Sequence, residues 1–159
     1  MKIVVGMADM KVSSEPEATL ITYALGSCIG VTLYDPVVKV GGMLHFMLPD
    51  SQIDPEKGEK NPWMFANTGI PQLFQEAYNL GADKRRLSVK VIGGAQVMDD
   101  SGFFNIGKRN YMTLRKMFWT NNVLIQAEDV GGSVNRTARL EVFTGRLWVK
   151  TSGSGEKEL

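Results

Sequence analysis

The seven residues CIGVTLY, 28–34, constrain the fold more than any other stretch. Strand alternation puts Cys28, Gly30, Thr32 and Tyr34 on one face and Ile29, Val31 and Leu33 on the other. Gly26-Ser27 precedes the run as a tight turn, and Asp35-Pro36 ends it as another. A second extended run, 38–48, follows at once, with Gly41-Gly42 as a bulge or a point of close approach. Strands joined by so short a turn are expected to pair antiparallel. That pairing sets Cys28 and His45 on neighbouring strands, in a register the sequence leaves open.

The remaining pattern extends this strand-rich reading. Residues 2–5 and 18–25 read as extended, and Leu87, Val89 and Val91 alternate as a strand. Asn61 and Pro62 form a helix start, and Gly81 a stop. Pro71 kinks or divides that segment, in which Ile70, Leu73, Phe74, Ala77 and Tyr78 follow helical spacing. A second helix is expected over 108–119, striped by Tyr111, Leu114, Met117 and Phe118, and a strand over 122–128. At the C-terminal end, 136–143 and 146–151 form a hairpin about Thr144-Gly145, pairing Val142 with Leu147 and Leu140 with Val149. The expected fold is therefore α+β: mixed, largely antiparallel strands with two main helices in a single domain, 1–151. Residues 152–159, SGSGEKEL, lack apolar anchors and are expected to be a disordered tail. Trp63, Phe65, Phe103 and Phe104 are assigned to the core, with a groove for a substrate helix as the other reading.

Composition narrows the function. The 159 residues carry a net charge of +1 with scattered Lys and Arg, which disfavours nucleic acid and anionic membrane surfaces as partners. No apolar run is long enough to span a bilayer. The opening MKIVVGMADMKV is broken by Asp9 and Lys11, too soon for a signal peptide, so the cytoplasm is the expected location. One cysteine and one histidine cannot build a disulfide, nor a zinc site without two carboxylates. Glu128-Asp129 reads as a solvated strand end rather than a ligand pair. Gly93-Gly94 reads as a tight turn, since no Gly-Lys-Ser/Thr follows to make a phosphate loop.

Cys28 is then either a buried, inert thiol or a nucleophile. A nucleophilic cysteine needs a base, and His45 is the one side chain whose ordinary pKa lies near neutrality. It also needs donors for an oxyanion, which the backbone of Gly26, Ser27 and Cys28 could aim from a tight turn. The same residues also fit plain packing, because strand cysteines and histidines are often buried.

LGSCIGVTLYD (25–35) followed by GGMLHFMLP (41–49) resembles the bacterial chemotaxis family CheD. Gly93-Gly94-Ala95, IGKRN (106–110) and the 131–145 segment with Arg136, Phe143 and Gly145 extend the resemblance over nearly all of the chain. The family deamidates glutamines on chemoreceptors. The resemblance implies Cys28 as nucleophile, His45 as catalytic histidine and Thr22 as the third residue, orienting the imidazole. It implies no cofactor, and as partners the helical methylation region of chemoreceptors and the phosphatase CheC. A binding module that activates CheC is the alternative function, and a cysteine peptidase or thioesterase a third. In the segment GGSVNR, Asn135 replaces a glycine usual in the family, and asparagine is expected to keep a left-handed turn there.

Overall fold

The computed structural model describes residues 1–96 and 105–159; Phe103 and Phe104 lie outside them. In chain order the strands are β1 (Lys2–Val4), β2 (Asp9–Ser13), β3 (Thr19–Leu25), β4 (Ile29–Asp35) and β5 (Val40–Phe46). The helices α1 (Pro55–Lys60) and α2 (Ala66–Asn79) follow, then β6 (Ser88–Gly93) and α3 (Ile106–Thr120). The chain ends with β7 (Ala127–Val130), β8 (Arg136–Glu141), β9 (Leu147–Thr151) and β10 (Glu156–Glu158). These strands form two five-stranded sheets, ordered β1-β3-β8-β9-β10 and β2-β5-β4-β6-β7. Only β1–β3 and β6–β7 pair parallel, so the α+β fold is mixed and largely antiparallel, as expected.

The layers follow from the side-chain alternation. Ile29, Val31 and Leu33 of β4, with Leu44 and Phe46 of β5, pack under Ile70, Leu73 and Ala77 of α2 and Leu114 and Phe118 of α3. The opposite face of the same sheet presents Met43 and Ile92 to Leu20, Leu140 and Val149 of the other sheet. The second sheet is thus covered on both sides, and every residue of β4 and β5 is buried. Gly41 and Gly42 are points of close approach, not a bulge. A side chain at Gly41 would press on Leu140 and Val142, one at Gly42 on Leu73, and the β4–β5 register runs unbroken past both.

Several expected elements move. Asn61 caps a short 3-10 turn, Pro62–Met64, by accepting from the Trp63 amide; α2 itself starts at Ala66 and continues through Pro71. Gly81, at φ +100, follows the C-cap Leu80 and ends the helix as expected. Left-handed Asn122 closes α3, so the chain joins β6 only at Ala127, later than 122–128 predicts. The hairpin pairs Leu140 with Leu147 and Ala138 with Val149, two residues from the expected register. An even shift keeps each side chain on its face, which is why Leu140, Val142, Leu147 and Val149 are all buried regardless. Phe65 is core, whereas Trp63 is half-buried. Asn135 does not take left-handed geometry; Gly131 and Gly132 do, so that replacement imposes no backbone strain.

The tail corrects the composition argument. Residues 156–158 pair antiparallel with β9 as a fifth strand, the Leu159 amide donates to Leu147, and Arg139 grips Glu156 at 2.7 Å. The tail has no core of its own, but pairing with an open sheet edge needs only backbone hydrogen bonds, and Leu159 adds an apolar anchor by packing against the inter-sheet cluster.

Gly145 closes the hairpin at φ +76, and a Cβ there would overlap the Tyr34 ring, whose hydroxyl donates to the Phe143 carbonyl at 3.0 Å. Gly145→Ala is expected to cost about 2–4 kcal/mol, combining left-handed strain with overpacking. Urea unfolding followed by circular dichroism measures the loss.

Candidate functional site

β5 is flanked by β4 on one side and β2 on the other, and the alternation that sends Leu44 and Phe46 to the helices sends His45 to the layer between the sheets. There it meets Thr22 of β3, from the facing sheet. His45 Nδ1 and Thr22 Oγ1 are 2.7 Å apart, and each residue is 1% exposed. The Thr22 hydroxyl donates its one proton to the Val5 carbonyl, also at 2.7 Å. It can therefore only accept from the ring, so Nδ1 carries the hydrogen and Nε2 the lone pair. Nε2 is buried with no hydrogen-bond partner among the described residues. Just past Thr22 the β3–β8 register shifts, with Ala24 left-handed at φ 54. This bulge returns Leu25 to the core before the turn that carries Cys28.

Cys28 is half-buried against the inter-sheet cluster, one residue ahead of β4. Gly30 stands directly across from His45, so Cys28 shares their face one step along the diagonal. Such diagonal positions are about 7 Å apart between Cβ atoms, so the thiol and the imidazole are neighbours on one face.

Three consecutive carbonyls of the Gly26-Ser27-Cys28 turn are held from beneath. The Ala95 amide donates to Gly26 and the Gly94 amide to Cys28, both at 2.8 Å, while Asn110 Nδ2 of α3 donates to Ser27 at 3.0 Å. No peptide bond here is cis, so the N–H of each peptide opposes its carbonyl. The amides of Ser27 and Cys28 therefore aim away from this support, as oxyanion donors must. Gly93-Gly94 is thus a platform: a Cβ on Gly93 would overlap the Cys28 carbonyl oxygen. Arg136 ties this platform down, donating to the Gly93 carbonyl at 3.3 Å and pairing with Asp129 at 3.2 Å. Glu128 accepts from the Tyr111 hydroxyl. No group of three His, Cys, Asp or Glu among the described residues could hold a metal, and no helix among them is long and apolar enough to cross a membrane.

The chemistry available is that of a neutral pair. Burial pushes the Cys28 thiol above its ordinary pKa, against the pull of its own amide. Burial lowers His45 from 6.5 to about 4, partly opposed by the charge of Asp9, its cross-strand neighbour on β2. At neutral pH the resting site holds a thiol and an unprotonated imidazole.

The sequence alone singled out Thr22, Gly26, Ser27, Cys28 and His45; the structure brings Thr22 and His45 into hydrogen-bond contact and sets Cys28, with the turn before it, at the diagonal position on the same face. It did not assign a role to Ala95 or Asn110, whose bonds to the turn cross from elements remote in sequence.

A family model described as CheD chemotactic sensory transduction matches residues 47–151. The chain is 55% identical over 157 residues to the probable chemoreceptor glutamine deamidase CheD 1 of Syntrophus aciditrophicus, covering 99% of this chain and 98% of that protein. It is 53% identical over 158 residues to the probable chemoreceptor glutamine deamidase CheD of Solibacter usitatus, covering 99% and 93%. The corresponding protein of Syntrophotalea carbinolica is 43% identical over 159 residues, covering 99% and 98%. The family model starts beyond His45, whereas these relatives span Thr22, Cys28 and His45 as well.

Acid should unfold the protein partly through His45. Between pH 6.5 and about 4 the unfolded chain binds a proton that the folded ring refuses. The stabilisation is whole above pH 6.5 and is lost as pH falls through about 4, amounting to about 3 kcal/mol over that window. His45→Gln is expected to flatten the pH dependence of urea-unfolding free energy by that amount across the same range.

Proposed function

The chain belongs to the CheD family, and from that membership we propose that it is a chemoreceptor glutamine deamidase using Cys28 as nucleophile and His45 as base. The observation that carries this reading is the Thr22–His45 bond, which fixes the tautomer and leaves Nε2, unpartnered among the described residues, on the face shared with the chain's one cysteine.

Each step is assigned to a group described above. Nε2 takes the Cys28 proton as sulfur attacks the side-chain carbonyl carbon of a glutamine, and the outward amides of Ser27 and Cys28 receive the oxyanion. The C–N bond then breaks, the imidazolium gives its proton to the leaving nitrogen, and ammonia departs from a thioester. Nε2 next takes a proton from water, whose oxygen attacks the thioester carbonyl. The C–S bond breaks, sulfur recovers the proton, and glutamate is left on the receptor. Thr22 keeps Nδ1–H fixed throughout both half-reactions. The names of the relatives point to a chemoreceptor glutamine as substrate, and in this proposal that glutamine lies on the receptor's helical methylation region.

Incubating a receptor cytoplasmic fragment with the protein should raise the mass of receptor peptides by about 1 Da per converted glutamine, as amide becomes acid. Cys28→Ala is expected to abolish conversion without unfolding the protein. Equal conversion by wild type and Cys28→Ala removes Cys28 from the mechanism.

Thr22→Val, near-isosteric, removes the acceptor for Nδ1–H and the donor to Val5. It is expected to slow turnover about 10- to 100-fold and to cost about 1–3 kcal/mol of stability. Thr22→Ser should recover most of both, read by peptide mass spectrometry and urea unfolding.

A further inference from the structure

One fully buried polar side chain beside the site has no part in the scheme above. Asn110 lies on the core face of α3, and its Nδ2 donates to the carbonyls of Ser27 at 3.0 Å and Met47 at 2.9 Å. Both partners are pure acceptors, so the orientation of the amide is settled: the nitrogen faces them and Oδ1 faces away. That oxygen is buried with no partner among the described residues. An unpaired buried acceptor costs about 1–3 kcal/mol, a penalty that an apolar residue on this helix face would avoid.

What the side chain joins is informative. Ser27 immediately precedes Cys28, and Met47 lies two residues beyond His45. One planar amide therefore spans the turn carrying the sulfur and the end of the strand carrying the imidazole. The Ser27 carbonyl it holds belongs to the same peptide as the Cys28 N–H. Fixing one end of that plane inward fixes the other outward. Gly107, one turn earlier on α3, permits this reach, because any Cβ there would press on the Gly94 and Ala95 carbonyls.

We propose that Asn110 is a positioning residue of the active site. It aims the Cys28 amide at the oxyanion and sets the nucleophile turn against the His45 strand. The role rests on the deamidase reading for its catalytic meaning and on the two hydrogen bonds for its geometry. Without the Nδ2 donor, the Ser27 carbonyl has no reason to face the core and the Ser27–Cys28 peptide is free to turn. The oxyanion then loses a donor, and the thiolate loses the amide that favours it.

The test uses the full chain with Asn110→Asp, which replaces the donating nitrogen by an acceptor, and Asn110→Ser, which keeps one shorter donor. Three readouts are taken: kcat and KM on a receptor fragment, the pH profile of Cys28 alkylation by iodoacetamide, and Tm. Cys28 is the sole cysteine, so alkylation reports on it directly. The expected result is kcat lower by about 10- to 100-fold in Asn110→Asp with KM within about 2-fold, and a smaller loss in Asn110→Ser. The alkylation profile should move to higher pH in both. Wild-type kcat and an unmoved profile, whatever happens to Tm, overturn the proposal and leave Asn110 a packing residue. Failure of both variants to fold also overturns it, since the side chain would then serve the scaffold as a whole. Should the wild type leave the receptor unchanged while the variants still shift the alkylation profile, the deamidase reading fails and the positioning of Cys28 stands.

Discussion

The hydrogen bond between His45 and Thr22 crosses from one sheet to the other, and the site exists only where the two sheets meet in one register. Cys28 and His45 belong to adjoining positions of one sheet, but the group that orients the ring comes from the facing sheet. A buried hydrogen bond of this kind contributes only about 1 kcal/mol net, too little to align two sheets. The alignment comes instead from the apolar layer around it: Leu20, Leu25, Met43, Ile92, Leu140 and Val149 are each essentially inaccessible to solvent. At about 1.5–3 kcal/mol for each such side chain, the layer outweighs the polar bond several times over. Core packing sets the register, and the Thr22 hydroxyl converts it into a defined tautomer.

Burial also explains why a threonine suits the third position. A carboxylate there would place a permanent charge in the same apolar layer, at a desolvation cost that a single imidazole cannot offset while neutral. A hydroxyl anchored on Val5 accepts from Nδ1 without adding charge. The nearest compensation for a transient imidazolium is Asp9, across the strand pair and already engaged by Lys11 and the amides of Gly6 and Met10. The resting site is therefore an uncharged pair, and in the proposed mechanism charge separation is confined to the moments when the oxyanion can share it with the turn amides.

The features legible in the sequence are those governed by local period. Alternation through 28–34 and the even spacing of Leu140, Val142, Leu147 and Val149 gave correct faces even where the hairpin register was two residues off. The helical stripe of Ile70, Leu73, Phe74 and Ala77 likewise named the buried face of α2. What escaped was set by partners distant in sequence. β2 carries the mixed run DMKVS and is held by its pairing with β5 rather than by its own alternation. The tail strand has no core side chain and depends on an edge left open by β9. Asn110 looks like any polar helix residue until the turn it holds is placed 83 positions earlier.

Those distant partners also account for how so few reactive side chains suffice. With Gly26, Ser27 and Cys28 all accepting hydrogen bonds from below, the turn cannot satisfy its carbonyls by rotating its peptides outward. Its amides are left to face away from this support, where the proposed mechanism puts the oxyanion, and they do so in the resting protein. Preorganised backbone dipoles of this kind need no reorientation during reaction, whereas a flexible polar side chain would have to be ordered first. The glycine platform, the Arg136 tie and the Asn110 amide are thus one device, in which the scaffold spends its hydrogen-bond donors on carbonyls so that the reactive turn can keep its own.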